Sequence, residues 1–274
     1  MTPAVQQMTP AVGAEISGVD LAQVLDDATF ATIHQAFLDH AVLVFRDQAI
    51  DVAQHLAFTR RFGEPEVHIL GQFNLAENPQ ILMQSNGRDE DGKPLGLEDA
   101  GRYWHTDVSF KEAPSKASFL FAIDVPPERG DTLFAGMAAA YEALPAELKT
   151  RVQGRNGVHG LNKITAPQMT DAQFATLKPE LHPLVRTHPQ TGRKAIYAGA
   201  FALGVDGLAE SEARALLDEL AEFCTQTRFV YRHRWCKGDF VVWDNRCVLH
   251  RATDFDARHR RHMHRTTVAG DRPV

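Results

Sequence analysis

Of the thirteen histidines in this 274-residue chain, only His105 is followed two positions later by an acid, in Trp104-His105-Thr106-Asp107. On extended backbone, residues i and i+2 project to the same side, so this imidazole and carboxylate can reach one metal ion. Two histidines and one carboxylate on one face of an octahedron leave three positions open. Non-haem Fe(II) oxygenases use that arrangement, which accepts a bidentate co-substrate and then dioxygen. Taken alone, the pair reads equally well as a solvated loop histidine beside an aspartate. A second histidine must come from far along the chain, and His250 is the best candidate, after the apolar run Phe240 to Trp243 and the turn-prone Asp244-Asn245. Its competing reading is a core histidine hydrogen-bonded to backbone.

Arg261 lies eleven residues beyond His250, and Arg265 four further on. If His262 to Val268 is a strand, Arg261, Met263 and Arg265 share one side, and the two arginines are roughly 13 Å apart along it. A guanidinium facing a cleft needs an anion, because unpaired buried charge is costly, and its fork suits a carboxylate or sulfonate. Two such arginines beside a metal site imply two bound anions. The alternative is a solvated basic run, which describes Arg258, His259 and Arg260.

The elements that must hold these residues are mostly strands. Val42 to Phe45, Ser118 to Val125, Thr132 to Ala135, Phe229 to Trp235, Phe240 to Trp243 and His262 to Val268 read as strands, and Leu184 to Thr187 with Lys194 to Tyr197 as a hairpin. Helical patterns start at Asp26-Asp27, with Phe30, Ile33, Phe37 and Leu38 on one face, and at Asp51, running to about Phe62. Met137 to Leu144 is a short helix, and Glu210 to Gln226 carries a stripe of Leu216, Leu217, Leu220 and Phe223. The Gly-rich polar stretch 86–102 is a loop long enough to act as an active-site lid. The pattern suits a two-sheet sandwich or jelly roll with helices outside.

Hydrophobic residues make up 44% of the chain and can fill one sizeable core; no repeat or linker divides it, so residues 1–274 read as one domain. A net charge of −6 recruits neither nucleic acid nor a membrane surface. Three cysteines without a C-x-x-C fit a reducing compartment. With no signal peptide and no membrane span, the expected location is the cytoplasm.

Long stretches resemble the Fe(II)- and 2-oxoglutarate-dependent dioxygenases of the taurine dioxygenase and 2,4-dichlorophenoxyacetate dioxygenase (TauD/TfdA) family. They are Gly13 to Leu21, Arg61-Phe-Gly-Glu64, Trp104-His-Thr-Asp-Val-Ser-Phe110, Gly130-Asp-Thr-Leu133, His182 to Pro189, Gly238 to Arg246, His250, and Arg261-His-Met-His-Arg265. The resemblance implies a mainly β fold with peripheral helices, a double-stranded β-helix (cupin-like jelly roll). It implies that His105, Asp107 and His250 bind Fe(II), and that Thr132 and Arg261 grip the distal carboxylate of 2-oxoglutarate. Arg265 looks like the residue meeting the anionic head of the prime substrate, and His68 sits where taurine enzymes place a second sulfonate partner. The implied reaction consumes O2 and hydroxylates a small organic anion beside a heteroatom. It releases succinate and CO2 and often fragments the product. A homo-oligomer, dimer or tetramer, is also implied.

The substrate signals diverge. His-Thr-Asp-Val-Ser-Phe and Arg-His-Met-His-Arg look like taurine dioxygenase, whereas Phe229 to Trp235 and Asp244 to Arg251 look closer to the phenoxyacetate enzymes. Where taurine enzymes carry an aromatic and an Asn, this chain has Gly71 and Gly101. Sulfonates such as taurine, sulfate esters and aryloxyalkanoates all remain open. The alternatives are a related oxygenase with other chemistry, such as halogenation, which Asp107 opposes, and a non-catalytic cupin-like metal- or ligand-binding protein.

Overall fold

A computed structural model describes residues 3–68, 71–98, 101–166 and 170–274. The strands are β1 (Ala4–Gln7), β2 (Ala14–Ser17), β3 (Val42–Phe45), β4 (Asn74–Leu75), β5 (Asn78–Ser85), β6 (Ala117–Asp124), β7 (Thr132–Gly136) and β8 (Asn156–His159). They continue as β9 (Glu180–Pro183), β10 (Val185–Thr187), β11 (Lys194–Ile196), β12 (Ala202–Val205), β13 (Val230–His233), β14 (Phe240–Asp244), β15 (Val248–Ala252) and β16 (His262–Val268). Helices α1 (Asp27–His40), α2 (Val52–Arg60), α3 (Met137–Glu142), α4 (Ala146–Val152), α5 (Asp171–Thr176) and α6 (Glu210–Cys224) sit around them.

An eight-stranded sheet, ordered β1-β2-β3-β14-β6-β16-β5-β4, forms one wall; β13-β7-β15 forms the other. Alternation along the central strands builds three apolar layers from this. Leu43, Phe45, Phe119, Phe121, Phe240 and Val242 face Ile33 and Phe37 of α1 and Phe58 of α2. The intervening residues Val42, Val44, Leu120, Val241 and Trp243 face the opposite way, towards Phe134, Tyr231 and Val248 of the small sheet. The outer face of that sheet, through Ala135 and Leu249, packs with α3, α4 and α6. The result is the mainly β, helix-flanked sandwich that the strand pattern predicts.

Both expected helix starts are capped. Asp26 accepts from the Thr29 amide, and Asp51 makes a reciprocal capping box with Gln54. One expectation shifts. Phe229 ends a 3-10 turn (Thr227–Phe229), so β13 is shorter than Phe229 to Trp235, and Trp235 lies beyond it. Stretch 86–98 carries neither helix nor strand, as expected of a loop; the Leu95 amide donates to the Gly87 carbonyl, and the Leu97 amide to the Met83 carbonyl of β5. Residues 99–100 of the expected lid lie outside the described residues.

Several histidines are buried as neutral groups. His55 contacts Thr266 Oγ1 at 3.1 Å, and its ring lies 4.9 Å from that of Phe240. Burial pushes His55 and His159 down from 6.5 to about 3. In the unfolded chain both take up protons near 6.5, so their stabilising share is complete above that pH and is lost as pH falls from 6.5 towards 3. The thermal midpoint should therefore drop between about pH 7.5 and pH 5, and His55→Asn should flatten the slope. A midpoint independent of pH across that window contradicts this.

Candidate active site

The two histidines meet through backbone pairing. His105 donates its amide to the His250 carbonyl at 3.0 Å, and His250 returns the bond at 2.7 Å. One step along, the Ala252 amide donates to Gly101 O at 2.8 Å. This antiparallel register places the imidazoles 4.1 Å apart, centroid to centroid. His250 belongs to β15, whose partner β7 sets Phe134 opposite it, and its ring lies 4.8 Å from that of Trp243. His105 Nδ1 lies 2.8 Å from the Tyr103 carbonyl, so a proton on Nδ1 turns Nε2 to the interior. Such an outer partner is what a metal-bound imidazole usually has.

Asp107 arrives differently from the expectation. His105 is extended, but Asp107 opens a turn in which Val108 has φ 47°. The turn is held from behind: Asn245 Oδ1 accepts from the Asp107 amide at 3.3 Å, and Thr106 Oγ1 donates to the Asn245 carbonyl at 2.6 Å. Ser118 Oγ donates to Asp107 Oδ2 at 2.5 Å and accepts from Asn245 Nδ2 at 2.9 Å. This leaves Asp107 Oδ1 at 3.7 Å from Nε2 of both His105 and His250. The donor atoms of the three residues all lie within 4.8 Å of one another.

Electrostatics prepare these groups as ligands. Burial lowers His105 and carries His250 well below the ordinary 6.5, so both are neutral at pH 7. Burial alone would raise Asp107, but Arg265, with His250, His105 and Ser118, holds it well below the carboxylate range. Two neutral imidazoles and a carboxylate, buried and convergent, fit Fe(II). A second cluster, His188, Asp244 and Cys247, is structural instead. Asp244 is forked by Arg246 at 2.8 and 2.6 Å and contacts His188 at 3.0 Å, which fixes the turn leading into β15.

The histidines open onto a cavity. Thr132, Arg261, Arg265, Trp243 and Leu120 are in its wall, with Gln84, Gly101 and Ala252. Arg261, Met263 and Arg265 thus share the inward side of β16 and its approach. Burial first, and then Arg102, lowers Arg261 to about 10, so it stays charged at neutral pH. Among the described residues no carboxylate forms an ion pair with it. Thr132 Oγ1 accepts from Trp235 Nε1 at 3.0 Å. Arg265, 6% exposed, has Nη2 at 2.8 Å from Asp107 Oδ1, yet its Nε and Nη2 lack an aligned hydrogen-bond acceptor among the described residues.

His68 is half-buried and outside that wall, but it belongs to the same field. Burial, then Arg265, pushes it down to about 4, while Asp107 pulls the other way. Sequence reasoning passed over Ser118, Asn245 as an orienting group, and Trp235. Asn245 has only its place in the turn as a signal, and Ser118 and Trp235 have none. Gly101 adopts φ +72°, and a side chain there would collide with the imidazole of His105.

A family model described as "Taurine catabolism dioxygenase TauD, TfdA family" matches residues 4–267. The chain is similar to the alpha-ketoglutarate-dependent 2,4-dichlorophenoxyacetate dioxygenase of Cupriavidus pinatubonensis, 37% identical over all of both chains. It is also similar to the alpha-ketoglutarate-dependent sulfate ester dioxygenase of Pseudomonas putida, 32% identical over 96% of this chain and 88% of that one. The crystal structure of AAD-2 in complex with Mn(II) and N-oxalylglycine superimposes with a TM-score of 0.86 at 35% identity, over 100% of this chain and 99% of that one.

Proposed function

The chain belongs to the taurine catabolism dioxygenase TauD, TfdA family and is a 2-oxoglutarate-dependent non-haem iron dioxygenase; on that premise we propose that it hydroxylates a small organic anion beside a heteroatom, with aryloxyalkanoates first in order. His105, Asp107 and His250 hold iron, and Thr132 and Arg261 take the distal carboxylate of 2-oxoglutarate. When bound, iron and 2-oxoglutarate supply the oxidising chemistry, consuming O2 and releasing succinate and CO2. The protein orients the groups. Ser118 and Asn245 aim the Asp107 carboxylate, the Tyr103 carbonyl keeps His105 in one tautomer, and Trp243 with Leu120 forms apolar wall.

The observation that carries the substrate reading is Arg265. Its buried Nε lacks an aligned acceptor among the described residues, and its Nη2 has only the Asp107 carboxylate 2.8 Å away, in a cavity that Arg261 also lines. A buried donor without an acceptor is costly, and a second anion relieves that cost. His68, on the same side of the field, is assigned as a secondary partner of the head group. Gly101 departs from the Asn of the taurine enzymes, and the His105 ring occupies the space where a side chain would begin, which speaks against taurine. The similarity to the phenoxyacetate enzyme supports the same order, with sulfate esters and taurine next.

Arg265→Ala should raise the KM for the organic anion, leave that for 2-oxoglutarate nearly unchanged, and uncouple succinate formation from product. Arg265→Lys should rescue it only in part, because an ammonium cannot reproduce the fork. His68→Ala should show a milder form. An unchanged anion KM and coupling ratio in Arg265→Ala would remove the main support for an anionic head group.

One domain carries both sites, and 86–102 serves as the lid, supported by Gly101 lining the cavity. A cytoplasmic location agrees with three free cysteines, and no helix among the described residues is long and apolar enough to cross a membrane. Gel filtration distinguishes dimer from tetramer.

A further inference from the structure

Trp235 is not part of the cavity wall, yet its indole N–H donates to Thr132 Oγ1 at 3.0 Å in a buried position. A threonine hydroxyl has one proton and two lone pairs, and an indole N–H can only donate. With the indole proton seated on one lone pair, the hydroxyl proton cannot point towards Trp235. Among the described residues no other group shares a hydrogen bond with Thr132 Oγ1, and Thr132 borders the cavity. The hydroxyl is thereby left with a free proton and one free lone pair at a site assigned to an anion. Donation into Oγ1 also polarises that proton, which strengthens its next bond.

The indole is itself fixed. Its ring meets the edge of His233 at 4.3 Å and 84°. His233 Nδ1 lies 2.9 Å from the Tyr231 hydroxyl, and its Nε2 lies 3.1 Å from Asp239, whose carboxylate takes Arg46 at 2.6 Å. β13 and β7 place His233 directly across from Thr132, so the same pairing brings Trp235 over the hydroxyl.

We propose that Trp235 is a positioning residue for the co-substrate: it sets Thr132 as a hydrogen-bond donor to the distal carboxylate of 2-oxoglutarate. The proposal rests on the assignment of Thr132 to that carboxylate, and the experiment separates the two. N-oxalylglycine is titrated calorimetrically into the full-length Mn(II)-loaded protein, a measurement of binding without turnover. Trp235→Phe keeps the ring and removes the donor; it should weaken binding roughly threefold to tenfold, the range for one neutral hydrogen bond. The same factor should appear in a Thr132→Ser background, which keeps the hydroxyl, and vanish in Thr132→Val, which lacks it. Loss of packing alone would weaken both backgrounds equally, even if Trp235→Phe lowers stability. An equal loss in Thr132→Val, or no loss in the otherwise unaltered chain, overturns the role of Trp235 and leaves the Thr132 assignment standing. Unchanged affinity in Thr132→Val alone overturns that assignment and the inference with it.

Discussion

Exchange of His250 for alanine is expected to abolish Fe(II)-dependent hydroxylation while the protein remains folded. The backbone bonds between His105 and His250 do not need the imidazole, so the β15 register survives. The ring contributes an Nε2 donor 3.7 Å from Asp107 Oδ1, and nothing else among the described residues stands in that place. His105→Ala should behave alike, with losses on the order of 10³ or more, the scale for removing a group that acts as part of a unit. Asp107→Ala differs in kind. It leaves two imidazoles that still bind metal weakly, but it strips Arg265 of its only acid partner among the described residues, so an uncompensated buried cation adds a stability cost. Activity is read as product formed, and metal content by direct analysis. If His250→Ala hydroxylates at the unaltered rate, the distal ligand is another residue and the site must be redrawn.

The second large effect is expected at Arg261. Truncation to alanine removes the charged partner of the distal carboxylate and should raise the KM for 2-oxoglutarate by the equivalent of about 2–5 kcal/mol, as for one partner of a desolvated charge pair. Thr132→Val should cost less, ~1.5–3 kcal/mol, because one charge-assisted hydrogen bond is lost. Neither variant should alter the KM of the prime substrate as Arg265→Ala does. Arg261 suits this role because it faces the cavity, stays charged despite burial and the nearby Arg102, and has no carboxylate partner among the described residues. Normal 2-oxoglutarate binding by Arg261→Ala would mean that another group in the cavity wall holds the distal carboxylate.

Much of this site was legible because it obeys short-range rules. The inward side shared by Arg261, Met263 and Arg265 is a consequence of period-2 geometry, which a sequence displays openly, and the i, i+2 spacing of His105 and Asp107 marked the pair even though the backbone between them is not extended throughout. The register that joins His105 to His250 is not of that kind. It is a contact across 145 residues, and β15, with polar His250 and Arg251 among its five residues, does not read as a strand by hydrophobic pattern. β5 was missed for a similar reason: Pro79, Gln80 and Gln84 break its apolar run, and pairing with β16 supplies what propensity lacks. Asp107 shows the limit of the spacing argument. Its backbone turns where extension was expected, and Ser118 and Asn245, distant in sequence, restore its aim. Gly101 stood out as a departure from the taurine enzymes, but the His105 ring that excludes a side chain there becomes visible only in three dimensions.

The most direct test of the whole assignment is a coupling measurement. The protein is supplied with Fe(II), ascorbate, 2-oxoglutarate and, in turn, an aryloxyalkanoate, an alkyl sulfate, taurine and an uncharged analogue of the best of them. The expected result is succinate formed one-to-one with product from at least one anion, the aryloxyalkanoate foremost, and none coupled to the uncharged analogue. Coupled turnover of the uncharged analogue as fast as the anion, or no anion that raises succinate above the substrate-free rate, would contradict it.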